Sequence, residues 1–213
     1  MRRGGPALME PSMTRGRLEA FSDGVIAIIL TIMVLELRPP HGTGFADLGP
    51  LWPKLLSYVL SYVNVAIYWN NHHHLMHAVE RVNGKVLWAN MTLLFWLSLI
   101  PFTTAWMGEH QPAPVPVAIY GTVLLLAGTA YFVLTRVLLG LHAEGSALAR
   151  ALGQDWKGKV SVLVYAAGIP LAFLSPWLSL AGIVGVAILW LVPDRRFERV
   201  LEREPHRASA PPG

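Results

Sequence analysis

Residues 17–37 read RLEAFSDGVIAIILTIMVLEL, an apolar run with a carboxylate near each end. The run predicts a membrane-spanning helix, helix 1, over about residues 16–37. A bilayer core about 30 Å thick requires roughly 20 mainly apolar residues in a helix. Here only 12 residues, 24–35, lie between Asp23 and Glu36. At the usual helical rise the two carboxylates are therefore about 20 Å apart.

These two carboxylates restrict where helix 1 can lie. An ionisable group at membrane depth normally faces protein or a water-filled path. We therefore expect helix 1 to be interior and surrounded by other helices. The alternative is a short helix whose charges reach the two interfaces of a locally thinned bilayer.

The composition of the whole chain is that of a membrane protein. Of its 213 residues 54% are hydrophobic and only 14% are charged, which is unusual for a soluble domain. Cysteine is absent, which excludes disulfides, thiolate metal ligands and cysteine nucleophiles. The net charge of +4 is modest, and the basic residues fall at the ends and in loops. This distribution argues against a nucleic-acid partner.

Five further helices are predicted, giving an all-α protein with six transmembrane helices. Helix 2 begins near residues 50–53 and is polar for a membrane helix, although residues 55–79 contain no Asp, Glu, Lys or Arg. Helix 3 spans about 85–107 with a kink at Pro101, and helix 4 about 116–140. Residues 141–159 are predicted as a loop or interfacial segment. The uncharged run 160–192 is too long for one span and contains Pro176, so it predicts two short helices, about 159–174 and 177–192.

The distribution of basic residues predicts the orientation. With six spans, 15 of the 17 lysines and arginines fall on the side of the two termini and two fall on the other side. The positive-inside rule then places both termini in the cytoplasm of a multi-pass plasma-membrane protein. The predicted organisation is a disordered cytoplasmic tail (1–15), a six-helix transmembrane channel domain (16–193) and a basic cytoplasmic tail (194–213).

Helix 1 also carries a long and unusual motif. It resembles the first transmembrane helix of the prokaryotic members of the transmembrane protein 175 family, the lysosomal potassium channel family, and further matches cover most of residues 15–110. The matching residues form the pattern R-x-x-x-F-S-D, followed by an Ala-Ile pair, a threonine and a Leu-Glu-Leu triplet: Arg17, Phe21, Ser22, Asp23, Ala27, Ile28, Thr31, Leu35, Glu36 and Leu37. The resemblance implies a homotetramer in which helix 1 of each subunit lines a central pore.

An apolar stripe on helix 1 contains the candidate pore residues. Ile28, Thr31, Ile32 and Leu35 recur at i, i+3, i+4 and i+7, and spacing alone is more typical of an ordinary packed core. The resemblance implies instead that Ile28 is the constriction, Thr31 a polar contact for the ion, and Ile32 and Leu35 further hydrophobic rings. Glu36 would lie at the pore mouth and attract cations. The alternative for Glu36 is an interfacial carboxylate paired with Arg38.

A polar network is predicted behind the pore, because buried polar groups in a membrane require partners. Helix 1 contributes its motif residues, helix 2 contributes a tryptophan and a histidine, and helix 3 contributes an asparagine. The predicted members are Arg17, Phe21, Ser22, Asp23, Trp69, His73 and Asn90.

The histidines of helix 2 raise the possibility of a metal site. His73 and His77 lie at i and i+4, a spacing that can chelate zinc. No cysteine and no H-E-x-x-H pattern accompanies them, so a structural role is favoured, with proton sensing as an alternative. We expect no resident metal and no cofactor.

Together these features predict a passive, potassium-permeant cation channel that is not an enzyme. Its expected partners are further copies of the same chain, membrane lipid and potassium ions. No T-V-G-Y-G filter sequence is present, so selectivity would arise from the constriction. A secondary transporter is the alternative, although no inverted repeat is visible. A proton-leak pathway is a second alternative that the sequence does not decide.

Overall fold

A computed structural model of the chain describes residues 14–79, 81–110, 112–142, 146, 149 and 156–191. In these ranges every regular element is helical and none is a strand. A 3₁₀ helix, Phe45–Leu51, precedes α2. The α-helices are α1 (Arg15–Leu35), α2 (Trp52–His77), α3 (Gly84–Ser98), α4 (Ile100–Glu109), α5 (Pro114–Leu139), α6 (Trp156–Leu174) and α7 (Pro176–Leu191).

Most predicted helix boundaries lie within two residues of those in the structure, and helix 3 is the largest difference. It is divided into α3 and α4 at Leu99, two residues before Pro101. Proline lacks the backbone N–H that an uninterrupted helix requires, which explains a break at this point. The predicted hairpin of two short helices corresponds to α6 and α7, with the turn at Ser175. Residues 1–13, the whole of the predicted C-terminal tail and most of residues 143–155 lie outside the described residues. Arg15, which was assigned to the N-terminal tail, begins α1.

In the part of the chain that the structure describes, four helical segments are long and apolar enough to cross a membrane. They are Arg15–Leu35, Gly84–Glu109 (α3 with α4), Pro114–Leu139 and Trp156–Leu174. The apolar helix α7 is shorter, and α2, with 26 residues, carries too many polar side chains to qualify by composition. The prediction that α2 and α7 also span the membrane stays a prediction.

The helices form one bundle in which α5 packs against α3, α4 and α6. Helix α7 packs against α6 and also contacts α5 and α2, whereas α1 packs against α2, α3 and α4. Only five of the 21 residues of α1 are buried. Within one chain α1 is therefore covered on one side, and the expected interior position would require further subunits.

Side-chain hydrogen bonds connect the helices inside this apolar bundle. The hydroxyl of Ser61 on α2 lies 2.7 Å from that of Thr104 on α4 and 3.0 Å from that of Tyr120 on α5. On the hairpin, the indole N–H of Trp190 donates to Ser161 Oγ at 2.9 Å. Because a buried polar group without a partner is costly, these pairs fix the helices in register.

The end of the bundle where α4 stops and α2 begins is closely packed. A Cβ atom at Gly108 would lie only 2.9 Å from the Cα of Lys54, so a side chain there would force the two helices apart. Lys54 Nζ also lies 3.3 Å from Glu109 Oε1. This end is opposite to the one where α1 begins and α2 ends.

Candidate functional site

Helix α1 has a buried face that attaches it to the bundle. The residues of this face recur every three or four positions, as expected of a single helical stripe. They are Leu18, Ser22, Ile26, Ile29 and Met33. Ser22 is fully enclosed and its hydroxyl donates to the carbonyl of Leu18 at 2.9 Å. The orientation of α1 is thus set by this face.

The opposite face of α1 carries the predicted pore residues, and the chain leaves them uncovered. Ile28 is 58% exposed and Leu35 is 76% exposed, whereas Ile26, two residues before Ile28, is 1% exposed. Ile32 and Thr31 are also exposed. We call Ile28, Thr31, Ile32 and Leu35 the open stripe. A groove between α1 and α4 borders the stripe and is lined in part by Phe102.

Thr31 is the polar member of the open stripe. Its hydroxyl donates to the carbonyl of Ile28 at 2.9 Å, within its own helix. A hydroxyl oxygen has two lone pairs in addition to its donated proton. The Thr31 oxygen therefore remains able to accept a hydrogen bond or to contact a cation.

Glu36 follows the last residue of α1 as its C-terminal cap and is exposed. In the described part of the chain no ion pair connects Glu36 to Arg38. The carboxylate also borders the groove that is lined by Ile28 and Ile32. Glu36 therefore lies at one end of the open stripe.

A buried chain of hydrogen bonds connects α2, α3 and α1. His72 Nε2 lies 2.8 Å from Asn90 Oδ1, and Asn90 Nδ2 donates to Ser22 Oγ at 2.9 Å. Because Asn90 Oδ1 can only accept, the proton on His72 is assigned to Nε2. The donors then run in one direction, from His72 through Asn90 and Ser22 to the Leu18 carbonyl. We call His72, Asn90 and Ser22 the buried relay.

The buried relay differs from the predicted network in one histidine. The sequence interpretation included His73 and not His72, whereas His72 is the histidine that bonds to Asn90. Consecutive residues on a helix point about 100° apart, so only one of them can face α3. In a run of three histidines, spacing along α2 alone did not identify which one it is.

Asp23 belongs to a second and more open group of polar side chains. The indole N–H of Trp69 donates to Asp23 Oδ1 at 2.9 Å, so the structure brings these two members of the predicted network together. The Trp69 ring stacks on the His73 ring, with their centroids 5.6 Å apart. The predicted single network is therefore divided in two, one part buried and one half-exposed.

Glu19 is a member of this open group that the sequence interpretation omitted. Glu19 Oε1 lies 3.3 Å from His73 Nδ1 and 3.5 Å from His77 Nδ1. The three residues each offer a potential metal-ligand atom, and these atoms all lie within 4.8 Å of one another. The sequence signal that could have identified Glu19 was an acidic residue two positions after Arg17, on a helix that begins beside the histidine-rich end of α2.

Two predicted network members are not part of either group. Among the described residues, the side chain of Arg17 forms no hydrogen bond or ion pair, and Phe21 is exposed on α1. Arg15 instead connects the start of α1 to the end of α2, because its Nη1 donates to the carbonyls of His77 and Val79 at 3.3 and 3.2 Å.

Comparison with known proteins gives a consistent family assignment. The family model described as endosomal/lysosomal potassium channel TMEM175 matches residues 17–101, which contain the open stripe, the buried relay and the open polar group. A potassium channel of Chryseobacterium sp. (strain P1-3) is 48% identical over 190 residues, covering 89% of this chain and 99% of the relative.

Similarity extends to a solved structure and to animal proteins. The crystal structure of a lysosomal potassium-selective channel TMEM175 homolog from Chamaesiphon minutus matches with a TM-score of 0.72 and 28% identity, covering 84% of this chain and 96% of that one. The human endosomal/lysosomal proton channel TMEM175 is 27% identical over 136 residues, covering 56% of this chain and 27% of the human protein.

Proposed function

The chain belongs to the TMEM175 family of potassium channels, and from this premise we propose that it forms a potassium-permeant pore lined by α1. The proposal rests on a single observation. The open stripe of α1 is exposed, whereas the other face of the same helix is packed against the bundle. Both faces lie in the region that the family model matches. One helix cannot enclose a pore, so four copies of the chain would place their open stripes around a central axis.

Ile28 is the proposed constriction of this pore. A ring of isoleucine side chains excludes water from a narrow passage and thereby opposes ion entry. Ile32 and Leu35 lie on the same stripe toward Glu36 and would form further apolar rings. Conduction then requires these rings to widen or to become hydrated.

Thr31 is the proposed polar contact for a passing cation. Its proton is engaged by the Ile28 carbonyl, so the side-chain oxygen is held with its lone pairs available. Four such oxygens, one from each subunit, would partly replace the hydration shell of a potassium ion. Selectivity would be moderate, because no ring of backbone carbonyls is available to coordinate the ion more completely.

Glu36 is the proposed charge at the outer mouth. Carboxylates at a pore entrance raise the local concentration of cations. The distribution of lysines and arginines supports an arrangement with six spans per chain, in which this end of α1 would lie outside a plasma membrane and both termini would lie in the cytoplasm.

Flux measurements in liposomes test the pore directly. Purified protein under a potassium gradient should pass potassium without a coupled ion and without the saturation of a carrier. Ile28→Asn should increase the flux several-fold, because an amide hydrates the constriction. Val34→Asn is the matched control, since Val34 is also exposed on α1 but lies off the open stripe. If Ile28→Asn and Thr31→Ala both leave flux and selectivity unchanged, α1 does not line the pore.

The assembly is tested by its mass. Native mass spectrometry in detergent should give four chains per particle, since a stable monomer has no closed route for an ion. A coupled, saturable flux would instead indicate a secondary transporter.

Proton conduction is the second candidate, because the human relative is a proton channel by name. A pH-sensitive dye inside the same liposomes distinguishes the two activities. Acidification without potassium movement would indicate a proton pathway, and potassium flux at constant internal pH would indicate a potassium pore.

A further inference from the structure

We propose that Glu19, His73 and His77 form a binding site for a divalent transition-metal ion of the zinc class. The site connects the first two turns of α1 to the last two turns of α2, at the end of the bundle predicted to face the cytoplasm. It does not depend on which residues line the pore.

The distances between the ligand atoms fit a tetrahedral ion. Zinc binds imidazole nitrogen and carboxylate oxygen at about 2.0–2.2 Å, so neighbouring ligands of a tetrahedral ion lie about 3.3 Å apart. The two distances from Glu19 Oε1 to the imidazole nitrogens are 3.3 and 3.5 Å. His73 and His77 are one helical turn apart, the arrangement in which two histidines hold zinc in helical metal sites.

The ligand types select the class of metal. Two imidazoles and one carboxylate suit zinc and its transition-metal neighbours, whereas calcium and magnesium prefer oxygen ligands alone. Three protein ligands leave a fourth position for water. Glu19 supplies the one negative charge, which offsets half of the charge of the ion.

The surroundings of the site hold its ligands in place. Arg15 Nε lies 4.0 Å from Glu19 Oε2, the oxygen that does not face the histidines. The guanidinium is also bound to backbone carbonyls at the end of α2, so it orients Glu19 without occupying the proposed ligand oxygen. Stacking on Trp69 restricts the ring of His73. Both histidines are half-exposed, which allows an ion to enter from water.

One existing contact must give way when the ion binds. His77 Nδ1 lies 3.0 Å from the carbonyl of His73. Binding through Nδ1 requires the proton to be on Nε2, so the ion replaces this intrahelical hydrogen bond. The rings of His73 and His77 are already close, with centroids 4.2 Å apart, so only a small rotation of the rings is needed.

Equilibrium binding of zinc to the full-length protein tests the site. Protein in detergent, purified without a histidine tag and treated with chelator, is titrated with zinc chloride and its metal content is counted. We expect one zinc ion per chain, with binding at least tenfold weaker in Glu19→Gln and in His77→Gln. His74→Gln is the matched control in the same histidine run and should bind as the native protein does. Cobalt(II) in place of zinc should give the strong visible absorption of a tetrahedral site.

A measurement on the native protein covers the case in which a variant fails to fold. Zinc should protect His73 and His77, but not His74 or His110, from modification by diethyl pyrocarbonate mapped by mass spectrometry. The proposal is overturned by binding no greater than that of empty micelles, by equal losses in His74→Gln, or by uniform protection of all four histidines. One zinc ion per four chains would also overturn it, because such an ion would lie on the symmetry axis.

Discussion

The buried face of α1 is fixed by hydrogen bonds and close packing, whereas its open stripe carries large apolar side chains that the same chain leaves exposed. Ile26 and Ile28 illustrate the contrast, because they are two residues apart and have opposite environments. On its buried face, α1 carries the hydroxyl of Ser22, for which the helices of the same chain supply partners. On its open stripe it carries apolar side chains that the same chain does not cover. They must face lipid, other copies of the chain, or a constriction from which water is excluded.

The polar groups behind α1 show a similar contrast. The buried relay is enclosed, and each of its members bonds to a residue on a helix other than its own. The group formed by Glu19, His73 and His77 is partly open to water and holds its donors and acceptors at longer distances. A closed group of this kind stabilises a structure, and an open one with spare ligand atoms can bind an ion.

The same substitution at two positions of α1 gives the largest expected effect. Ile26→Ala should lower the free energy of unfolding by about 2–5 kcal/mol, because it leaves a cavity in a packed site. Ile28→Ala should change it by less than about 1 kcal/mol, while altering the flux. Unfolding by sodium dodecyl sulfate titration in mixed micelles measures both. Equal losses of stability would mean that the two faces do not differ in packing.

Loss of Asn90 should have the next largest effect. Asn90→Ala removes the centre of the buried relay and should lower the free energy of unfolding by about 1–3 kcal/mol, since the His72 donor is left without a partner. Asn71→Ala is the control, because among the described residues the side-chain amide of Asn71 donates to the backbone of its own helix, at Ile67. A similar loss in the two variants would contradict a special role for the relay.

The bond between α1 and α2 should contribute less. Trp69→Phe keeps an aromatic ring but removes the donor to Asp23, and should cost about 1 kcal/mol. Trp88→Phe serves as a control, because Trp88 is exposed on α3 and its replacement should cost less than about 0.5 kcal/mol. Thermal unfolding of the two variants is followed by aggregation or by helicity, because neither signal depends on tryptophan fluorescence. A larger loss in Trp88→Phe would show that the Asp23 contact is unimportant.

The smallest expected effect concerns Glu36. Glu36→Gln should reduce potassium flux at low ionic strength, and the difference should vanish near 1 M salt, where the screening length is about 3 Å. Glu109→Gln is the control, since Glu109 pairs with Lys54 and lies off the open stripe. Unchanged flux in Glu36→Gln at every salt concentration would place Glu36 away from the ion path.

The family and the apolar helices could be predicted from the sequence, and so could the hairpin around Ser175. A kink at Pro101 was predicted as well, whereas the structure divides helix 3 at Leu99. These features depend on local properties, namely runs of apolar residues, proline geometry and a motif within one helix. Asp23 and Trp69 were also assigned to one polar network from the sequence, because both positions belong to elements whose order along the chain brings their ends together.

The choice between His72 and His73, and the meeting of Glu19 with His73 and His77, were decided only by the tertiary structure. Adjacent histidines have the same chemistry, and only the rotation of α2 about its axis determines which one faces Asn90. That rotation is set by packing against α4, α1 and α7 together, through contacts between residues far apart in sequence. The sequence by itself determined which segments are helices and to which family they belong, and packing determined which side chains those helices bring together.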